Sequence, residues 1–243
     1  MILLFTSAKG GVGKSTISIN VAYELSKTKK VLLFDADIGS SVDHIFFGKY
    51  QNNTIQEFCD GTLPFESIKL KLSNNLDLIS SPNGFWDLSG ENLQKIKNLL
   101  KLQYYVYDYI VIDTHPGVMT TNLELMKISD NVYIIVNSEE QSIIDNYALI
   151  KYVQKEHIAA TTYLITNKIS DNRYIDIIKN NMNIVLKKNG YEEIRFAGNI
   201  NMSTNIAGSV KDKKVFMQYF NHTAIANQFR DLIKNTVTNK KVR

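Results

Sequence analysis

The chain has 243 residues, 44% of them apolar and 21% charged, with 12 Gly, 3 Pro and no stretch built from one residue type, which excludes disorder or fibrous architecture for the whole. A single cysteine, Cys59, excludes an internal disulfide and the paired thiols that a Cys-based zinc or iron–sulfur site would draw from one subunit, so a reducing cytoplasm is the expected compartment. Net charge is +4, yet Lys211–Arg243 carries eight Lys/Arg against two Asp, a surplus of +6, and the other 210 residues sum to −2.

Met1–Phe5 is apolar but gives way at once to Thr6, which predicts no export signal, and no run of about 18 apolar residues predicts a membrane span. In chain order, short apolar β-rich runs alternate with longer segments of helical period. Strands are predicted at Ile2–Ser7, Val31–Phe34, Leu76–Ser80, Tyr109–Asp113, Asn131–Val136, Tyr163–Asn167 and Ile194–Ile200. Helices are predicted at Ser15–Thr28, Gly90–Gln103, Thr121–Ser129, Ser142–His157, Ile175–Asn189 and Thr223–Thr236, with Lys49–Ser73 unassigned. This is the pattern of a doubly wound α/β fold: a mostly parallel sheet of seven or eight strands with helices on both faces. One domain over 1–243 is expected, ending in a short basic tail from about 237 to 243.

Lys9-Gly10-Gly11-Val12-Gly13-Lys14-Ser15-Thr16 follows the first strand and opens the first helix, the context a phosphate-binding loop requires. Glycines let successive backbone N–H groups turn onto phosphate oxygens, and the helix N-terminus adds its positive end at the same place. Lys14 is then placed to reach the β- and γ-phosphates and the Ser15 hydroxyl to ligate Mg²⁺. The general pattern asks for Gly at position 8, where this chain has Ala8.

That departure and the extra Lys9 make the segment resemble the deviant Walker A loop, Lys-Gly-Gly-x-Gly-Lys-Ser/Thr, of the ParA/MinD ATPases. The resemblance implies ATP and Mg²⁺ as ligands, an ATP-bound homodimer, and a Lys9 that reaches across the interface to the nucleotide of the other subunit. It also implies a P-loop NTPase sheet. Asp35-Ala36-Asp37-Ile38-Gly39, at the end of the second strand, resembles the MinD-branch Asp-x-Asp-x-Gly, which makes Asp35 a Mg²⁺-proximal carboxylate and Asp37 the residue that positions the attacking water. Tyr109–Asp113 looks like a Walker B strand whose Asp113 holds Mg²⁺ through a water, and Thr114-His115-Pro116-Gly117 resembles switch II, with His115 read as a structural or switch residue. Asn167 sits where the family has an Asn reading the adenine edge, and Asp145 resembles a residue near the dimer or partner surface. Val42 departs from the Asn usual in the MinD branch.

Within the family, Cys59 alone does not supply the cluster-ligating motif of the iron–sulfur members, and Tyr219 is the single tyrosine after Tyr191, short of the cluster carried by the tyrosine kinases of this fold. Thr236–Arg243 offers two valines as apolar anchors, which supports a membrane-targeting helix poorly. The basic C-terminal end, with Lys211, Lys213, Lys214, Arg230, Lys234, Lys240, Lys241 and Arg243, fits non-specific DNA binding and therefore DNA segregation with an activating partner protein. The second reading is MinD-like positioning of a division or surface apparatus. A small-molecule ligase such as the related dethiobiotin synthetases is the third, and it has no need of Lys9.

Overall fold

The computed structural model describes residues 1–39, 43–49, 52–84 and 86–237. Val42 and the tail cations Lys240, Lys241 and Arg243 lie outside the described residues. The first strand, β1 (Ile2–Thr6), is followed by α1 (Lys14–Ser26) and β2 (Val31–Ala36), and then by α2 (Asp43–Phe46), α3 (Ile55–Cys59), α4 (Phe65–Ile68) and β3 (Leu70–Lys71). The middle of the chain forms β4 (Leu76–Ser80), α5 (Gly90–Gln103), β5 (Tyr109–Thr114), α6 (Thr120–Met126), β6 (Asn131–Val136) and α7 (Glu140–Lys155). Last come β7 (Thr161–Asn167), α8 (Asn172–Lys188), β8 (Arg195–Ile200), α9 (Thr204–Lys211), α10 (Phe216–Tyr219) and α11 (Ala224–Val237).

The eight strands form one sheet in the order β3-β4-β2-β5-β1-β6-β7-β8. Every pairing is parallel except the short antiparallel edge of β3 on β4. The expected strands and helices are present with ends shifted by at most three residues. The unassigned stretch proves to hold α3, α4 and β3, and α9 and α10 are further elements that periodicity did not reveal.

Strand residues alternate between two cores, as a two-residue period demands. Ile2 and Leu4 join α5, α6, α7 and α8 on one face, whereas Leu3 and Phe5 join α1, α10 and α11 on the other. On the second face Phe5 stacks on Tyr133 at 4.6 Å and Tyr133 on Tyr163 at 5.5 Å. The Tyr133 hydroxyl donates to Thr236 Oγ1 at 2.8 Å, and Asn131 Nδ2 to the Thr236 carbonyl at 3.0 Å, which pins α11 to the sheet.

Candidate functional site

β1 lies between β5 and β6, where the winding of the sheet reverses, and a doubly wound sheet opens its ligand crevice at this point beyond the carboxyl ends of its strands. The loop leaving β1 turns through Gly11 and Gly13, both in the left-handed region with φ of 77° and 96°. Gly13 caps α1, and a Cβ there would collide with the side-chain amide of Asn167, so no larger residue fits. A Cβ on Gly11 would meet nothing within 4 Å, so it is the left-handed backbone and not the space that calls for glycine there.

The loop is braced from below. Asn146 of α7, fully buried, accepts from the Ala8 N–H at 2.8 Å while its own amino group donates to Ser142 O at 2.8 Å. Gly117 N donates to Ser7 O at 2.9 Å, and Asn122 Nδ2 holds the carbonyls of His115 and Gly117 at 2.8 and 2.9 Å, which ties residues 114–117 to the loop entrance and to α6. Neither asparagine carries a sequence signal, since each sits inside an ordinary helical period.

Lys14 is buried and donates from Nζ to Asp113 Oδ1 at 2.9 Å. Asp113 stands in register with Asp35 across β5 and β2, and Asp35 Oδ1 accepts from the Asp37 N–H at 3.1 Å. Burial raises the Asp37 carboxyl above the usual range, with Lys14 and His115 opposing and Asp113 reinforcing the shift. His115 Nδ1 donates to Pro116 O at 3.0 Å and lies 3.9 Å from Asp37 Oδ1, beyond hydrogen-bond distance. Among the described residues, Asp113 Oδ2 and Asp37 Oδ1 are buried without a hydrogen-bond partner. The orphaned oxygen of Asp113, the residue paired with Lys14, fits a Mg²⁺ ion with its waters, for which Ser15, Asp35 and Asp113 could supply the protein side.

Lys9 takes a different course. Its Nζ pairs with Glu139, the residue that caps α7, and Asn137 Nδ2 holds the other carboxylate oxygen of Glu139 at 2.9 Å. The Glu139 carboxyl is held below the usual range by Lys9 first and then Asn137. Lys9 thus lies at the rim, while Lys14 lies at the base.

Lys9, Gly10, Gly11, Val12, Gly13, Lys14, Ser15, Thr16, Asp37 and Asn167 all line one cavity of about 700 Å³, a volume suited to a nucleotide. Asn167 Nδ2 donates to Val12 O at 2.7 Å, and Lys168 Nζ to Gly11 O at 2.8 Å. The far wall consists of Asn201, Met202 and the α9 residues Ile206, Ala207 and Val210, none of which stood out in the sequence. Asp145 is bonded within α7 by Gln141 Nε2 at 2.6 Å.

A family model described as "ParA: NUBPL iron-transfer P-loop NTPase" matches residues 1–237. The chain belongs to the ParA/MinD family of P-loop ATPases. Its relatives include the flagellum site-determining protein YlxH of Helicobacter pylori, 30% identical over 230 residues that span 88% of this chain and 74% of that protein. The septum site-determining protein MinD of Escherichia coli is 29% identical over 183 residues, 67% of each chain. Among solved structures, a putative plasmid partition protein of Borrelia burgdorferi bound to AMPPNP superposes with a TM-score of 0.79 at 27% identity, covering 97% of this chain and 98% of that one.

This ParA/MinD ATPase has no helix, among the described residues, long and apolar enough to cross a membrane. Cys59 is buried and faces the Asn92 carbonyl. Of the basic C-terminal residues, Arg230 donates from Nε to Glu24 Oε1 at 2.9 Å and from Nη2 to Asn221 O at 2.6 Å. Glu24 also pairs with Lys27 at 2.5 Å, so one carboxylate serves both cations.

Proposed function

We propose that the chain is an ATP-driven dimerising switch that positions a surface apparatus of the cell, a role in keeping with what the names of the flagellar and septal relatives say of those proteins. The observation that carries the switch is the separation of the two lysines: Lys14 belongs to its own loop, whereas Lys9 is held at the rim by Glu139, where a second subunit can meet it. In this reading the loop N–H groups and Lys14 bind the β- and γ-phosphates of ATP, and Lys9 adds a cation to the nucleotide of the facing subunit. Asp37 orients a water whose oxygen bonds to the γ-phosphorus as the β–γ bridging P–O bond breaks, leaving ADP and inorganic phosphate. Ser15 and Asp113, with Asp35 beside them, would hold Mg²⁺, which would supply charge neutralisation at the phosphate oxygens. Slow turnover, accelerated by a partner protein, follows from the need of a switch to dwell in one state.

Light scattering with a non-hydrolysable ATP analogue tests the switch. The wild type should double its mass and Lys9→Ala should stay monomeric; a wild type that remains monomeric refutes the reading. DNA segregation is the second reading, favoured by exposed Lys211, Lys213 and Lys214 at the end of α9. Salt-sensitive, sequence-independent duplex binding by the analogue-bound dimer would establish it, with a log–log salt slope of about 0.9 per phosphate neutralised.

A further inference from the structure

The helix α8 buries one apolar stripe and shows another. Ile175, Ile178, Met182 and Leu186 pack into the core. The side toward β8 is fastened as well: the Ile194 N–H donates to Asn183 Oδ1 at 2.9 Å, and Lys179 Nζ lies 5.6 Å from the centre of the Phe196 ring.

The second stripe faces solvent. Tyr174, Ile177, Asn181, Ile184 and Lys188 follow one another at alternating steps of three and four residues, so they run in a line down one side of the helix, with Val185 beside Ile184. Ile177 and Ile184 are each 50% exposed. A surface helix ordinarily turns charge to water along such a line, whereas this one carries a single charge, Lys188, at its far end. Exposed apolar side chains gathered in this way mark a contact surface.

The line reads alike from either end: a long side chain at each tip, an apolar one next to it, and a small amide at the centre. Laid antiparallel on a second copy, Asn181 meets its own counterpart, Ile177 meets Val185 of the second copy, and Tyr174 meets Lys188. The charges favour this direction. Lys187 and Lys188 pair with no carboxylate among the described residues, while Asp171 caps the start of α8 and holds Arg173 at 2.9 Å. Turned antiparallel, Lys188 gains a tyrosine ring and, one turn further, the Asp171 carboxylate, and the two helix dipoles oppose each other. Turned parallel, Lys187 and Lys188 would crowd their own counterparts. A lone amide in an apolar line also fixes the register, because sliding by a turn would set it against isoleucine.

We infer that the exposed face of α8 is a homotypic contact, through which two copies of this chain pack α8 on α8, antiparallel, across Asn181. A single helix pair buries less than the roughly 1,200 Å² at which stable associations begin, so the contact is weak by itself. It is separate from the nucleotide rim, since neither Lys9 nor any residue of the phosphate loop lies on α8. Two different two-fold contacts on one chain generate an open row and not a closed pair, so α8 would string nucleotide-dependent dimers together.

The test is sedimentation velocity of the nucleotide-free full chain from dilute to concentrated solution, with cross-linking beside it. The wild type should shift from monomer toward dimer as concentration rises, and Ile177→Asp combined with Ile184→Asp, both at half-exposed positions, should raise the dissociation constant at least about tenfold. Asn181→Cys should form a disulfide-linked dimer under mild oxidation far faster than Asn98→Cys, an exposed control on α5, with buried Cys59 giving no background. Tyr174→Cys mixed with Lys188→Cys should link to each other and neither to itself. A wild type that is monomeric at every concentration, with Asn181→Cys linking no faster than Asn98→Cys, overturns the inference, and Lys188→Cys linking to itself overturns the antiparallel arrangement. Pelleting of the wild type with anionic vesicles, abolished by the double substitution and without self-association, gives the face to a lipid surface and overturns the inference as well. Because no nucleotide is used, this contact stands or falls apart from the switch.

Discussion

Asp35 and Asp113 face each other in register on β2 and β5, both with no solvent exposure, so two carboxylates share one buried edge at the spacing of adjacent strands. Lys14 Nζ sits on Asp113 at 2.9 Å and supplies the cation that makes this arrangement tolerable.

Lys14 is therefore structural before it is a phosphate ligand. Lys14→Ala should abolish nucleotide binding and also cost about 3–5 kcal/mol in urea unfolding, the range for stranding a buried charge. Lys14→Met combined with Asp113→Asn should regain much of the stability and none of the binding. A Lys14→Ala protein as stable as the wild type would show that the pair carries no stabilising charge.

At the rim the expectation is different. Lys9→Ala should leave nucleotide affinity within about threefold of wild type, because the loop N–H groups and Lys14 remain, while analogue-induced dimerisation and turnover fall together. Parallel loss of affinity would place Lys9 in its own subunit's site.

Asp37→Ala should separate binding from chemistry. Turnover is expected to drop by about 100-fold or more, the range for losing a positioned acid–base group, with nucleotide bound and the dimer long-lived. Wild-type turnover in this variant would reduce Asp37 to a loop residue.

A pH dependence follows from Glu124 of α6, clamped by Lys127 at 2.6 Å and by Lys97 of α5 at 2.6 Å. These two ammonium groups, Lys127 first, hold its carboxyl below the ordinary glutamate range. A depressed folded-state value means that the clamp stabilises above the usual glutamate pKa and fades as pH falls through the lowered one. Glu124→Gln should destabilise by under about 1 kcal/mol at neutral pH, since the group is partly solvated. Thermal melts of the two proteins should converge in strong acid; a gap that persists there would be a packing effect.

The sheet was legible because buried parallel strands read as continuous β-branched runs, and the loop because its chemistry demands glycine, lysine and hydroxyl at fixed offsets. What stayed hidden was short or made of amides. Two-residue β3, five-residue α3 and four-residue α4 are too brief to show a period. Eight-residue α9 carries Gly208 in its middle and sets Ile206, Ala207 and Val210 along the cavity, with Ile206 also packed against the core. Asn146 and Asn122 act through orientation, which no residue pattern encodes. Net charge likewise counts Arg230 as a cation but does not show that it pairs with Glu24, 206 positions away.

The place of β1 between β5 and β6 has an evolutionary consequence. On one flank, β2 and β5 lead to Asp35, Asp37 and Asp113, to which we assign the phosphate chemistry; on the other, β6, β7 and β8 lead to Glu139, which pairs with Lys9, and to Asn167 and Asn201, which line the cavity. Among the described residues, no strand pairing joins the two flanks except through β1 itself. Descendants of such a chain can redraw what they recognise on the β6–β8 flank while the carboxylates of the other flank stay unaltered, and one engine can come to serve many addresses.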